Sequence, residues 1–214
     1  MLRIECFDVE VLPNFFSITF VDLADYLKAF EDCVNDKGKK IPLIQKLTVG
    51  VIKDRLSRIK NKKFYITATD DSQLFSMVDY IYKFAVDSNG FPARTDLYGY
   101  NSKSYDNLMV AAFLMYFNQF DTTKELITKL YQTSKRIIEL QNDKEAGKND
   151  FFLRSLNKFK LPFVGVDVMK IFALNKAGSY NDSQTGEKKY IPKGLKQTSI
   201  NLQCYELLEY ELPP

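Results

Sequence analysis

Residues 4–11 interleave apolar side chains with acidic ones and alternate strictly from Phe7 to Val11, which is the period-two pattern of a strand that buries one face. Pro13 and Asn14 break the pattern, and residues 15–21 are again rich in apolar and β-branched side chains. The pattern therefore predicts a hairpin of two strands. Because the apolar members of the first strand are large, we expect this strand to lie at the centre of its sheet.

Later segments predict helices that alternate with further strands. The predicted strands are residues 64–69, 95–100 and 163–169. The predicted helices, from apolar residues spaced three and four apart, are residues 22–35, 43–60, 74–85, 105–117, 122–141 and 194–209. An opening hairpin followed by strands linked through helices predicts an α/β fold, in which helices cover a mixed sheet.

Two of these helices are preceded by polar residues that could cap them. The candidates are Asp70 or Asp71 for the helix 74–85, and Ser102 or Ser104 for the helix 105–117. The first of these helices is expected to turn one apolar stripe to the core. Its members are Leu74, Phe75, Val78, Ile81, Tyr82 and Ala85. Residues 142–150 are expected to form a polar linker, and residues 179–189 a flexible hairpin tip or disordered loop.

The composition restricts the kinds of site that the chain can hold. The chain has 214 residues, 45% of them hydrophobic and 14% aromatic, which predicts a globular protein with a large core. It contains no histidine, which excludes His–Cys zinc sites, Ser–His–Asp triads and imidazole general bases. The net charge of +3 gives no strong overall attraction to nucleic acid, so a basic surface would have to be local.

The cysteines and apolar runs indicate a soluble intracellular protein. Three widely spaced cysteines are typical of a reducing compartment, and Cys6 is expected to belong to the core. The N-terminus lacks a signal-peptide pattern, and the long apolar run at residues 108–117 is too short to span a bilayer.

Asp8 and Glu10 are two residues apart on the first predicted strand, so their carboxylates leave the same face, roughly 7 Å apart. Such a pair is either a solvated strand face or a site for one or two divalent cations. Asp106 lies in the first turn of a predicted helix, where a negative charge is favourable in any case. Three carboxylates from a strand and a strand-to-helix junction can also form a two-cation phosphodiester site, with Mg²⁺ or Mn²⁺ as the fitting ions.

Two sequence motifs resemble those of a known family. Phe7-Asp8-Val9-Glu10 resembles an exonuclease motif Asp-x-Glu, and Asn101-x-x-x-Tyr105-Asp106 resembles a second motif in which Phe/Tyr-Asp follows Asn. Together they are similar to the 3′–5′ proofreading exonuclease domain of family B DNA polymerases, especially those of phages. This resemblance implies a ribonuclease-H-like fold and a site of four acids with two metal ions.

The resemblance also implies roles for individual residues. Asp8, Glu10 and Asp106 would be catalytic and would bind Mg²⁺ or Mn²⁺, whereas Asn101, Tyr105 and Lys103 would contact nucleic acid. The substrate would be the 3′ end of single-stranded DNA, and the partner a polymerase domain of the same or a companion chain in the cytoplasm. Residues 1–214 would form one exonuclease-like domain, with a helical insertion at about 119–160.

One expected motif, Tyr-x-x-x-Asp, is not found in this chain. Tyr205-x-x-x-Glu209 has the spacing but a different acid, and we interpret the chain as the N-terminal part of a longer polymerase, ending before the fourth acid. Asp167 matches a recurrent acid of such folds and is not assigned as a ligand. Two alternatives stay open: a catalytically incomplete module that grips single strands or a partner subunit, and a standalone exonuclease that acts on RNA.

Overall fold

The computed structural model describes residues 3–31, 48–99, 102–142, 147, 150–167, 179–181 and 188–190. The chain divides into two compact units, each of two segments. The first unit comprises Met1–Asp22 and Asn61–Asp167, and the second Leu23–Lys60 and Val168–Pro214. The interpretation of residues 1–214 as one domain stays a prediction.

The first unit is built around a five-stranded mixed sheet. Its strands are β1 (Arg3–Leu12), β2 (Phe15–Asp22), β3 (Asn61–Thr67), β4 (Thr95–Gly99) and β5 (Val164–Asp167), and their order in the sheet is β3-β2-β1-β4-β5. β1 pairs with β2 and β2 with β3 in antiparallel fashion, whereas β1–β4 and β4–β5 are parallel. The predicted α/β fold and the central place of the first strand are confirmed.

Four helices lie in the described part of this unit. They are α3 (Leu74–Tyr82), α4 (Asp106–Tyr116), α5 (Thr123–Asn142) and α6 (Phe151–Lys158), and a 3₁₀ turn (Lys83–Ala85) extends α3. One face of the sheet forms the core with them. Phe16 of β2 stacks on Phe113 of α4, with ring centroids 5.1 Å apart, and Phe20 packs 5.3 Å from Phe84. Helices α5 and α6 lie in the segment interpreted as an insertion, yet they bury Leu130 and Leu156 in the same core.

The side chains of β1 divide cleanly between the two faces of the sheet. Phe7 and Val9 point into the core, whereas Asp8 and Glu10 are exposed on the opposite face. Cys6 lies on that opposite face and is exposed, so its predicted place in the core is wrong. The error arises because a small apolar residue on an alternating strand takes the face that its position dictates.

Several local predictions for helix starts and faces are corrected by the structure. Asp70 accepts the backbone N–H of Ser72 in a turn, and Gln73 precedes α3 without capping it. Phe75 and Tyr82 are exposed, and Met77 is buried in their place. The inward face of α3 is therefore narrower than the apolar stripe predicts. Helix α6 is not among the individual helices predicted from the sequence. It begins after its N-cap Asp150, whose carboxylate accepts the N–H of Leu153.

The second unit contains α1 (Leu23–Ala29), α2 (Val49–Ser57) and a hairpin of β6 (Ser179–Asn181) and β7 (Lys188–Tyr190). Both helices fall within predicted helical segments, and the Arg55 guanidinium donates to the carbonyl oxygen of Ala29 at 3.2 Å. The predicted helix 194–209 lies outside the described residues. No helix in the described part of the chain is long and apolar enough to cross a membrane.

Candidate functional site

The candidate site begins where β1 extends past its parallel neighbour. The pairing of β1 with β4 ends at Cys6 opposite Tyr98, while β1 continues to Leu12. Beyond Cys6, the edge of β1 that pairs with β4 earlier in the strand therefore faces the segment that follows β4. This geometry leaves the N–H of Val9 available to a group other than a strand.

The chain leaves β4 through a tight junction. A side chain at Gly99 would place its Cβ 2.6 Å from the Cβ of Ser102, so a residue without Cβ is needed there. Ser102 is fully buried; its hydroxyl donates to the carbonyl of Val166 on β5 at 3.5 Å, and its own carbonyl accepts the N–H of Asn107 at 2.8 Å. Ser102 thus ties the junction to the sheet instead of capping α4. Neither Ser102 nor Ser104 is the N-cap; Tyr105 takes that position without a side-chain hydrogen bond.

A second glycine makes room for the start of α4. A Cβ at Gly165 of β5 would approach Asn107 Oδ1 to 2.7 Å, with the amide nitrogen still closer. The amide of Asn107 therefore packs directly against the backbone of β5. Together with Ser102, this contact fixes the first turn of α4 against the sheet, and with it the side chain of Asp106.

Asp106 lies near the first two acids, beside the backbone of β1. It is only 5% exposed, and its carboxylate is close to the N–H of Val9, the residue between Asp8 and Glu10. Burial, then the charge of Asp8 and, more weakly, that of Glu10 raise the pKa of Asp106 to about 7, against the lowering effect of hydrogen bonds from Val9 and from its own N–H. The three acids predicted from the motifs are therefore electrostatic neighbours.

Asp8 and Glu10 are exposed by surface area, but the surrounding protein still shifts their pKa values. Partial burial raises the pKa of Asp8. For Glu10, burial and then the charge of Asp8 raise the pKa, and the ammonium of Lys63 on β3 opposes this rise. A positive side chain therefore lies near the acidic cluster on the same face of the sheet.

The predicted nucleic-acid contacts take different positions. The hydroxyl of Tyr105 forms a 2.7 Å hydrogen bond with that of Ser134 on α5, and its pKa is raised by burial first and then by the three acids. Lys103 is exposed in the junction, and Asn101 lies outside the described residues. Tyr105 is thus held beside the acids by α5, while the roles of all three residues in binding stay predictions.

The chemistry of the cluster fits a divalent cation. Every candidate ligand is a carboxylate, which suits Mg²⁺ and Mn²⁺. Burial and then the charge of Asp8 raise the pKa of Asp106, and a bound cation would oppose both effects. In the described ranges, no three acidic or cysteine side chains are arranged so that they could hold an ion as they stand. Asp8 and Glu10 are exposed, so their side chains can change rotamer without repacking the core.

Some contributors to the site carry no sequence signal of their own. Ser134 lies within a predicted helix, and Lys63 directly precedes the predicted strand 64–69, although the structure includes it in β3. Strand pairing could have revealed Lys63, because it lies in register with Thr19, which pairs with Asp8. Asp167 lies at the end of β5, opposite Gly99, and is buried.

The sequence matches no protein-family model and no curated protein.

Proposed function

We propose that the chain is a metal-dependent 3′–5′ exonuclease domain that hydrolyses single-stranded DNA from its 3′ end, as a proofreading part of a DNA polymerase. The observation that carries the proposal is that the buried carboxylate of Asp106 lies within electrostatic reach of Asp8 and Glu10 on the central strand. Strand-and-helix carboxylates of this kind suit phosphodiester hydrolysis with divalent cations.

Asp8, Glu10 and Asp106 would hold Mg²⁺ or Mn²⁺. When bound, the ions would supply activation of the attacking water and stabilisation of charge at the phosphate. Asp106 is the fixed member of the set, because it is buried in the first turn of α4, whereas Asp8 and Glu10 are exposed and can adjust. The hydroxyl of Tyr105, which is hydrogen-bonded to Ser134, would contact the 3′-terminal nucleotide. Asn101 would contact the same single-stranded 3′ end, and Lys103 would contact phosphates without sequence preference.

The proposal includes a partner. The fourth acid of the resembling family is not found in the chain, so the polymerase domain and the missing motif would follow in the same or a companion chain, in the cytoplasm. Loss of one ligand weakens both geometry and charge compensation in a metal cluster. We therefore expect residues 1–214 alone to bind a divalent ion weakly and to degrade single strands slowly or not at all.

The test compares the 214-residue chain with a version extended through the missing motif. Single strands labelled at the 3′ or the 5′ end are incubated with Mn²⁺, Mg²⁺ or EDTA. The extended protein should release nucleotides from the 3′ end, and Asp8→Ala should abolish this release. Asp79→Ala, which removes an exposed acid on α3, is the matched control and should leave the rate unchanged.

Two results would contradict the proposal. Cleavage by the extended protein that survives Asp8→Ala would exclude the acidic cluster as the active site. Brisk activity of the 214-residue chain that is lost in Glu209→Gln would show that the site is already complete, and the interpretation of a missing fourth acid would be wrong. Glu209 itself lies outside the described residues.

A second candidate is a ribonuclease-H-like module that grips single strands or a partner subunit without cutting. It is favoured by the lack, in the described residues, of three side chains ready to hold an ion. This candidate predicts binding of single strands that is equal in EDTA and Mn²⁺, with no release of nucleotides by the extended protein.

A further inference from the structure

The face of the sheet that carries Asp8 and Glu10 also carries side chains that neither motif includes. On β2 and β3, Phe16 and Ile66 are fully buried in the core, so their neighbours Phe15 and Tyr65 point to the opposite face. This is the face of the exposed acids on β1. Tyr65 remains 37% exposed despite its size.

Strand register places these residues in two rows across the sheet. In one row, Glu10 pairs with Ser17 and Ser17 with Tyr65. In the next row, Asp8 pairs with Thr19 and Thr19 with Lys63. Each row spans two strand spacings, about 10 Å. An aromatic ring and an ammonium group thus lie side by side, each aligned with one of the acids.

The aromatic part of this surface is larger than one ring and is held in place. The rings of Phe15 and Tyr65 are nearly parallel, 21° apart, with centroids separated by 6.2 Å, so they are offset and not face to face. Offset rings leave ring surface free for a third ring. The N–H of Tyr65 donates to Gln73 Oε1 at 3.0 Å on the outer edge of β3, which fixes the backbone below the ring.

We propose that Phe15 and Tyr65 form a stacking platform for a base near the 3′ end of a single-stranded oligonucleotide, with Lys63 contacting the phosphate backbone. An oligonucleotide combines the two groups that this surface complements, a flat ring and a negative charge. The proposal rests on the proposed function for the position of the 3′ end, but binding itself can be measured without catalysis.

The chain offers a direct optical test because it contains no tryptophan. In the Tyr65→Trp variant, the introduced indole is the only one, and base stacking on it should change its fluorescence in a saturable way. The full 214-residue chain is titrated in EDTA with a single-stranded oligonucleotide and with an abasic strand of equal length and charge. Phe75→Trp is the matched control, because Phe75 is 71% exposed on α3, away from the acidic face.

We expect the oligonucleotide, but not the abasic strand, to change the fluorescence of Tyr65→Trp, and neither strand to affect Phe75→Trp. Tyr65→Ala should weaken binding in fluorescence anisotropy by about 5- to 100-fold, the loss of one stacked base. Lys63→Gln should reduce the slope of log affinity against log salt by about 0.7, the release of one counterion. A response to DNA or to RNA supports the platform, and their comparison gives its sugar preference.

Equal responses to the abasic and the complete strand, or no response of Tyr65→Trp to any strand, would overturn the proposal. So would an unchanged affinity of Tyr65→Ala with its thermal unfolding intact. Base-dependent binding without nucleotide release by the extended protein would leave the platform standing and refute the exonuclease. If nucleotide release depends on Asp8 but no strand changes the fluorescence of Tyr65→Trp, the stacking platform is refuted and the exonuclease is not.

Discussion

Replacing the buried acid of the cluster should stabilise the protein at alkaline pH. The pKa of Asp106 is about 7 in the folded protein, against an ordinary value of 3.8 that applies to the unfolded chain. The folded state therefore binds this proton more tightly than the unfolded state. It follows that stability falls as pH rises from about 4 to about 7 and stays low above that. Asp106→Asn removes the charge and keeps nearly the same side-chain shape.

The magnitude follows from the difference in pKa. Each pKa unit corresponds to about 1.36 kcal/mol, so ionised Asp106 costs the folded state at most about 4 kcal/mol. Between pH 5 and pH 8, Asp106→Asn should gain about 2–3 kcal/mol of unfolding free energy relative to the wild type. For a chain of this length, that gain corresponds to a rise in Tm of about 4–12 °C. Differences in packing between the two side chains cancel in this comparison across pH.

The assay is thermal unfolding followed by circular dichroism, in EDTA, at several values between pH 5 and pH 8. Asp79→Asn, at an exposed position of α3, should run parallel to the wild type throughout. A Tm difference between Asp106→Asn and the wild type that is the same at pH 5 and pH 8 would refute the reasoning. A variant that becomes less stable as pH rises would refute it more strongly, because the sign itself would be reversed.

Two further predictions concern the supports of the site. Gly165→Ala should lower the unfolding free energy, measured by urea titration, by about 1–3 kcal/mol, because the new Cβ overlaps the amide of Asn107. The control is Gly50→Ala in α2, whose Cβ would meet no atom closer than 3.9 Å, and it should be neutral or stabilising in the same titration. Tyr105→Phe and Ser134→Ala should each cost about 0.5–1.5 kcal/mol, and the double variant little more than either, because both remove one 2.7 Å hydrogen bond; fully additive losses would contradict this.

The centre of the fold could be predicted from the sequence because its signals are local and strong. Alternation in residues 4–11, the break at Pro13-Asn14 and the apolar pattern of residues 15–21 correspond to β1, its turn and β2. The parallel pairing of β1 with β4 also agrees with the predicted order of elements. Each of these features depends on side-chain period and on turn residues, which the sequence displays directly.

The details of the site could not be predicted because they depend on contacts between distant residues. The position of Ser102 in the sequence suggests a capping residue, but its hydroxyl donates a hydrogen bond to a carbonyl of β5 instead. Phe75 and Met77 are equally compatible with an inward stripe, and only the docking of α3 selects Met77. The near-neutral pKa of Asp106 requires both its burial and the nearby charge of Asp8, neither of which the spacing of the motifs specifies.

The register of the central strand has a consequence for how the protein folds. β1 and β2 are joined by a two-residue turn, whereas Arg3 of β1 pairs with Thr95 of β4, far along the chain. The hairpin can form within microseconds, but the parallel pairing must close a long loop and gives the sheet a high contact order. Asp8 and Glu10 are thus placed early in folding, and Asp106 can join them only after β4 has docked. During synthesis, the emerging hairpin would display its two acids long before the third, so completion of the cluster reports that the central sheet has closed.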